Sequence, residues 1–263
     1  MQDEMITIKD LEQQPTIYID QDGKTVGDSN ITEIRLTLFS LYGWKLLSVG
    51  SKVERIVGKD FNHDVFPTEM ILNPDGSFRT NPFRYASGLW EIDCSFGRMS
   101  QMIRSIPEDL LSHCTELEKV NNLFTNCIGL DSIPEGLFEN NKYLDSVKGL
   151  FRNCMGLKEI PERLFKDKHN LMRADDTFNC CAGLKEIPED LFSTCYNLVD
   201  VSRCFEWCIR LKRVPRKLFY SCRGLREMSR CFAYCIDLVD VPGWITEYPP
   251  KDLYLGCRQI KNE

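Results

Sequence analysis

The stretch Phe151-Arg-Asn-Cys154-Met-Gly-Leu157-Lys-Glu-Ile160-Pro161-Glu162-Arg-Leu-Phe165 sets the frame for most of this chain. From Phe151 to Ile160 an apolar or thiol side chain recurs at every third residue, Pro161 interrupts, and the frame restarts at Phe165. The same pattern lies 27 residues away in both directions: Ile106-Pro107, Ile133-Pro134, Ile160-Pro161, Ile187-Pro188, Val214-Pro215 and Val241-Pro242 keep that interval without an insertion. A period held this strictly means one structural unit stacked on copies of itself. Such a unit cannot bury its apolar face alone and relies on its neighbours to do so.

Each unit has two similar halves. One runs through Phe138, Asn141, Leu144 and Val147, and returns as Phe165, Lys168, Leu171 and Ala174, as Phe192, Cys195, Leu198 and Val201, and as Phe219, Cys222, Leu225 and Met228. The other runs through Phe124, Cys127, Leu130 and Ile133 and returns at Phe151, Phe178, Phe205 and Phe232. Pro at a first helical position fits its fixed φ and missing N–H. Glu135, Glu162 and Glu189 follow it, where a carboxylate suits a positive helix end. Ser202 and Ser229 are N-cap candidates in the halves without Pro. Gly129, Gly156, Gly183, Gly224, Asn170 and Asn197 precede the frame Leu and suit the left-handed conformation that ends a helix. The expected unit is helical turn, short strand, helical turn, short strand, with Phe, Cys and Leu/Ile/Val inside.

This frame, Phe-x-x-Cys-x-x-Leu-x-x-Ile/Val, resembles the BspA-like leucine-rich repeats of bacterial surface proteins. It is most similar to the branch with about 26 residues per repeat found in surface lipoproteins. The resemblance covers residues 82–245 and departs at Asn141 and Lys168, which stand at Cys positions, and at the Ile-Pro-Glu junction. It implies an α/β solenoid, a right-handed leucine-rich-repeat stack, and a role in recognition or adhesion at a bacterial surface.

The expected organisation is an N-terminal β-containing unit over 1–80, a divergent first coil over 81–106, five regular repeats over 107–241 and a C-terminal cap over 242–263. Thr16 to Val26, with Asp22-Gly23 between two strand-like runs, reads as a hairpin, and Met70 to Arg79 around Asp75-Gly76 as a second. Ile31 to Phe39 mixes strand and helix spacing and is assigned to strand. The unit reads either as an attachment module or as an enlarged cap. Phe83, Ala86, Leu89 and Ile92 form a degenerate half repeat that Phe96, Met99 and Met102 continue with a one-residue slip. Trp244 and Tyr248-Pro249-Pro250 are expected to lid the far end.

Composition narrows the function classes. With 263 residues, 43% hydrophobic and 27% charged, the chain is long enough to bury a core without staples. No apolar run approaches the roughly 20 residues that cross a bilayer, and the acidic start, Met1 to Met5, lacks a basic and apolar leader. A net charge of −6 disfavours general attraction to nucleic acid or anionic membrane. The thirteen cysteines are odd in number, and eight of them, Cys114, Cys127, Cys154, Cys181, Cys195, Cys208, Cys222 and Cys235, fall on the repeat frame. They are read as small buried hydrophobes. Cys204, Cys208, Cys231 and Cys235 could be drawn as a zinc site, but their spacing is that of the repeat rather than of a ligand knuckle. Cys94, Cys180 and Cys257 fall outside both thiol columns.

Candidate binding residues come from charge. Between Val201 and Arg230 stand Arg203, Arg210, Lys212, Arg213, Arg216, Lys217, Arg223, Arg226 and Arg230 against two acidic residues, a local +7 that leaves −13 elsewhere. This run reads either as a solvated face or as a docking patch for an acidic protein or glycan. Lys158-Glu159, Lys185-Glu186 and Lys212-Arg213 read as a stacked ladder that keeps the surface soluble. The histidines are His63, His113 and His169; His63-Asp64 is the sole hint of acid–base chemistry. With no phosphate loop, nucleophile elbow or metal-ligand motif, no catalytic residue, metal or cofactor is assigned. The expected role is non-enzymatic binding of a protein or glycan at the cell surface or after secretion. A phage virion component and an intracellular inhibitor or scaffold are the alternatives.

Overall fold

The structure, a computed structural model, describes residues 14–58, 65–243 and 252–258. Trp244, Tyr248-Pro249-Pro250, His63-Asp64 and the first five residues lie outside them.

The chain opens with the expected hairpin. β1 (Thr16–Ile19) and β2 (Thr25–Asp28) pair antiparallel, with Tyr18 opposite Val26. The Asp20 carboxylate accepts from the N–H groups of Asp22 and Lys24, and Gly23 takes φ 77 to close the turn. On the other side β1 pairs antiparallel with β4 (Lys45–Ser48). Tyr18, Phe39 and Trp44 pack beneath this sheet with ring centroids 4.8–5.6 Å apart.

A second sheet is parallel and leads into the repeats. β3 (Glu33–Arg35), β5 (Arg55–Val57), β6 (Glu91–Asp93) and β7 (Lys119–Asn121) lie side by side, bringing Ile34, Ile56, Ile92 and Val120 into one row. All four are fully buried. Parallel bridges then continue from Lys119 to Ser146, Arg173, Asp200 and Glu227. Residues before 80 thus supply a separate antiparallel sheet and the first two strands of the parallel one. The Ile31 to Phe39 segment is strand only over Glu33–Arg35; α1 (Leu36–Leu41) follows, burying Leu36 and Phe39. Both periodicities in that stretch are real, one after the other. The Met70 to Arg79 segment is a turn of helix, α2 (Thr68–Ile71), with one bridge, Leu72 to Phe78, rather than a full hairpin.

From residue 120 on, every repeat bonds to the next along the same seven-residue track. The N–H groups of Val147, Gly149, Phe151 and Asn153 donate to the carbonyls of Arg173, Asp175, Thr177 and Asn179 at 2.7–2.9 Å. Ala174, Asp176, Phe178 and Cys180 donate likewise to Asp200, Ser202, Cys204 and Glu206. These bonds satisfy backbone that the core would otherwise leave unpaired. Inside, one column of rings, Phe124, Phe151, Phe178, Phe205 and Phe232, stacks at 5.5–5.7 Å with planes within 11°. A second, Phe138, Phe165, Phe192 and Phe219, stacks at 5.5–6.1 Å. None of these rings is more than 5% exposed. Burying each contributes about 1.5–3 kcal/mol.

Some local expectations hold and others fail for physical reasons. The Pro-started segments are helical turns, as expected, closed by staggered i→i+3 bonds: Leu164 N–H to Pro161 O at 3.3 Å, Lys166 N–H to Arg163 O at 3.0 Å and Lys168 N–H to Phe165 O at 3.3 Å. These bonds fall at alternate residues and no i→i+4 bond joins them among the described residues, so the segments stay as linked turns. With no helix to cap, the Ser202 N–H is taken by the Asp200 carboxylate and the Ser229 hydroxyl by Asp252. The Ile-Pro junctions also lose their strand ladder: beyond the main track, Arg213 to Asp240 is the one parallel bridge among the described residues. Proline offers no N–H to a ladder.

The left-handed residues are not the glycines before the frame Leu. Apart from Asp167, those within the regular repeats form two columns, Asn122, Gly149, Asp176, Arg203 and Arg230, and Asn126, Asn153, Cys180, Trp207 and Tyr234, with φ between 56 and 66. Gly156 and Gly183 serve close approach instead: a Cβ on either would come within 2.8 Å of a carbonyl oxygen of the preceding repeat. Met102 is exposed, and Ile103 takes the buried place expected for it.

Candidate ligand-binding surface

The repeats position side chains in columns, so a surface residue's near neighbours are those 27 positions away. On the main track this builds a charged network. Lys148 reaches the Asp175 carboxylate at 2.9 Å, and Arg173 contacts the same carboxylate at 3.1 and 3.2 Å and that of Asp200 at 3.6 Å. Arg203 clamps Asp176 with two bonds of 2.8 and 3.0 Å, and Arg230 bonds Glu206. Asn179 joins the two acids, donating to Asp176 at 3.0 Å and to Glu206 at 3.2 Å. Asp175, Asp176 and Glu206 are buried, so their cationic partners offset a desolvation cost. Donating to the Asp176 carboxylate pushes the Arg203 pKa further up, so the guanidinium stays charged. Toward the N-terminal end Arg55 bonds Glu91 and Glu33 and lies with Lys119 over the Trp90 ring, 5.4 and 5.5 Å from its centroid.

The nine basic residues singled out by charge do not share one face. Arg203 and Arg230 occupy one column and are committed to Asp176 and Glu206. Arg226 and Glu227 adjoin that track, their N–H groups donating to Val199 O. Lys212, Arg213, Arg216 and Lys217 flank the Pro215 junction; Arg213 lies 3.9 Å from Glu186, and the Lys217 N–H donates to Glu189. Arg210 lies in the turn before that junction, exposed. Arg223 lines a shallow cleft of about 320 Å³ with Tyr196, Tyr220 and Ser221. The span from 203 to 230 is one full repeat, so the run encircles the stack. The surface ladder of Lys158, Lys185 and Lys212 carries ion pairs only at 3.9 Å, Lys158 to Asp131 and Arg213 to Glu186. Such exposed pairs contribute under about 1 kcal/mol.

The thiols behave as core. All thirteen cysteines are free. The Sγ of Cys154, Cys181, Cys208 and Cys235 each contacts the carbonyl of the Phe one repeat below at 3.2–3.3 Å. Cys257 belongs to this column after all. Its Sγ lies 3.1 Å from Phe232 O, and Tyr254 stacks on Phe232 at 5.9 Å. Here the interval shortens from 27 to 22 residues, which hid the match. Burial pushes the Cys114 and Cys222 thiols up to about 12 and the other ladder thiols with resolved shifts up as well. None is poised as a thiolate nucleophile. Among the described residues no group of three or more His, Cys, Asp or Glu stands where it could hold a metal ion. His169 is exposed, stacked on Tyr196 at 5.4 Å with its Nδ1 3.0 Å from Thr194 O.

Two features escaped the linear reading. The buried acids Asp175, Asp176 and Glu206 carry no local signature, yet setting the sequence in rows of 27 puts Asp176, Arg203 and Arg230 in one column. The same rows place Trp207 over Tyr234, stacked at 4.3 Å and partly exposed.

No protein-family model matches the chain, and no curated protein does. Among solved structures it is similar to a chain of the Toll–Spatzle complex of Drosophila, at 19% identity and a TM-score of 0.32, over 82% of this chain and 35% of that one. It is also similar to a chain of the TLR13–ssRNA13 complex, at 15% identity and 0.35, over 80% and 34%. A third is a chain of the octameric Latrophilin 3, Unc5D and FLRT2 (LRR) complex, at 16% and 0.35, over 74% and 69%. The chain spans about a third of the length of the first two. All three scores fall below 0.5 and carry no weight for its shape or partner.

Proposed function

We propose that this chain is a non-enzymatic binding protein: a right-handed leucine-rich-repeat solenoid of the BspA-like type that recognises a protein or glycan through its outer surface. The observation that carries the reading is the column geometry. Stacked repeats turn the Phe, Cys and Leu positions inward and set out a long array of charged and aromatic side chains. A bacterial surface or secreted location belongs to the same reading. The basic set around the Pro215 junction, Lys212, Arg213, Arg216 and Lys217, is its docking patch for an acidic partner. Charge-rich patches of this kind act mainly on association rate and salt dependence.

The test is binding of a poly-glutamate peptide and of a sulfated oligosaccharide to the full chain at two salt concentrations. Reversing Arg213, Arg216 and Lys217 to Glu is expected to weaken whichever probe binds by about tenfold or more at low salt while leaving the melting temperature unchanged. Unchanged affinity removes the patch from the site. Absence of binding by both probes refutes the acidic-partner reading.

A further inference from the structure

The thiol column of the first half repeat is broken by two polar residues. Cys114, Asn141, Lys168, Cys195 and Cys222 succeed one another at intervals of 27. Asn141 is fully buried; its Nδ2 donates to Leu111 O and Cys114 O, and its Oδ1 has no partner. Lys168, one repeat on, is 5% exposed. Its backbone N–H is spent on Phe165 O. Its amine forms no hydrogen bond or ion pair among the described residues, and leaves the open Asn141 acceptor unfilled. The residue instead lines a cleft of about 390 Å³ whose other walls are Phe138, Leu164, Gly136, Glu108, Glu135, Glu139, Arg163, Lys166 and Asp167. A lysine stem inserted where the next two repeats place a thiol, lining an open cleft with no hydrogen bond to its amine among the described residues, is an arrangement that packing alone does not call for.

We propose that Lys168 is a nucleophilic amine that captures small uncharged aldehydes as imines in this cleft. The lone pair of Nζ adds to the carbonyl carbon, the C=O π pair moves to oxygen, and a proton passes from nitrogen to oxygen to give the carbinolamine. Loss of water then forms C=N, with no change of oxidation state and no co-reactant. Phe138 and Leu164 form the floor of the cleft but are buried, so the site favours small aldehydes without a long apolar tail. The charged walls carry four carboxylates against Arg163 and Lys166, which disfavours anionic carbonyl compounds. Burial lowers the pKa of the amine, against the opposing influence of Asp167, Cys195 and Glu139, so more of it is unprotonated at neutral pH than for a surface lysine. This reading is independent of the binding role proposed above.

The experiment treats the full chain with limiting butyraldehyde and sodium cyanoborohydride, which traps an imine as a secondary amine, and maps labelled lysines by mass. At neutral pH Lys168 is expected to label about tenfold faster than Lys158, Lys166 and Lys185, the advantage shrinking as alkaline pH frees the exposed amines. Lys168→Arg keeps the charge, removes the nucleophile and is expected to abolish the fast phase alone. Labelling of Lys168 no faster than Lys166, or an advantage that does not depend on pH, overturns the proposal. Should Lys168→Arg fail to fold, the wild-type site map and its pH profile decide the matter.

Discussion

Two glycines at the same place in the frame should respond oppositely to alanine. Neither Gly183 nor Gly224 has positive φ, so alanine is compatible with the local backbone at both. The difference lies between repeats. A Cβ at Gly183 would come 2.7 Å from Leu157 O and 2.8 Å from Met155 O, whereas at Gly224 the nearest atom is Leu198 O at 3.5 Å. The Gly183 contacts are backbone carbonyls, which cannot rotate aside, so the two repeats would have to part by roughly half an ångström to reach van der Waals contact. Overpacking of this kind costs about 1–3 kcal/mol. Alanine also restricts the unfolded chain, which returns about 0.4–1 kcal/mol. The expected net effect is a loss of about 1–2 kcal/mol for Gly183→Ala and a change between zero and a slight gain for Gly224→Ala. Urea unfolding followed by far-UV circular dichroism measures both. Because repeat arrays can unfold in parts, the slope of each transition must match the parent before midpoints are converted. Amide exchange at Phe178 and Cys180, whose N–H groups bond across repeats, gives a local check. Equal stabilities for the two variants would refute the close approach of repeats on which the fold rests.

Three further expectations follow from the same columns. Phe178 lies between Phe151 and Phe205 at 5.7 and 5.5 Å with no exposure, so Phe178→Ala should cost about 3–5 kcal/mol in a thermal or urea melt; a loss below 1 kcal/mol would deny the ring its buried place. In native protein an uncharged maleimide should reach Cys180 and Cys257, the two half-buried thiols, well before Cys181 or Cys208, and mass mapping of a brief reaction tells them apart. Lys168→Met should raise stability at neutral pH: with the folded pKa below the unfolded one, the unfolded chain binds more protons between the two values, so wild-type stability climbs with pH across that window and the variant's advantage fades toward about pH 10.4. An advantage that stays constant between neutral and alkaline pH would show that the amine is not held in a desolvated site.

Much of the interior was legible because burial in a stack obeys a fixed interval. Phe151, Cys154, Leu157 and Ile160 announce themselves at every third residue, and their counterparts recur 27 positions away. What the residues between them do was harder to read. A spacing of three suits a run of linked i→i+3 turns as well as an α-helix, and what separates them is that no i→i+4 bond follows the proline of a repeat among the described residues. Gly156 and Gly183 permit either positive φ or close approach, and the choice depends on a carbonyl contributed by another repeat. Arg203, Trp207 and Cys180 take left-handed φ without any intrinsic preference for it. Each is held there by a backbone bond to the next repeat, from Arg203 to Ser229, Trp207 to Ala233 and Cys180 to Glu206. The candidate surface is less legible for a related reason. A run of nine basic residues between 203 and 230 looks like a patch when neighbours are taken along the chain. In a stack the run goes once around the perimeter, and the field at any point is set by the column. Arg203 faces Asp176 and Arg230 faces Glu206, so two of the nine charges are matched, one by an acid outside the run and one by an acid within it. The electrostatics of such a protein is therefore a property of rows of 27, and a ligand that senses charge will distinguish the Pro215 junction from the Asp176 column although both lie within the same basic run.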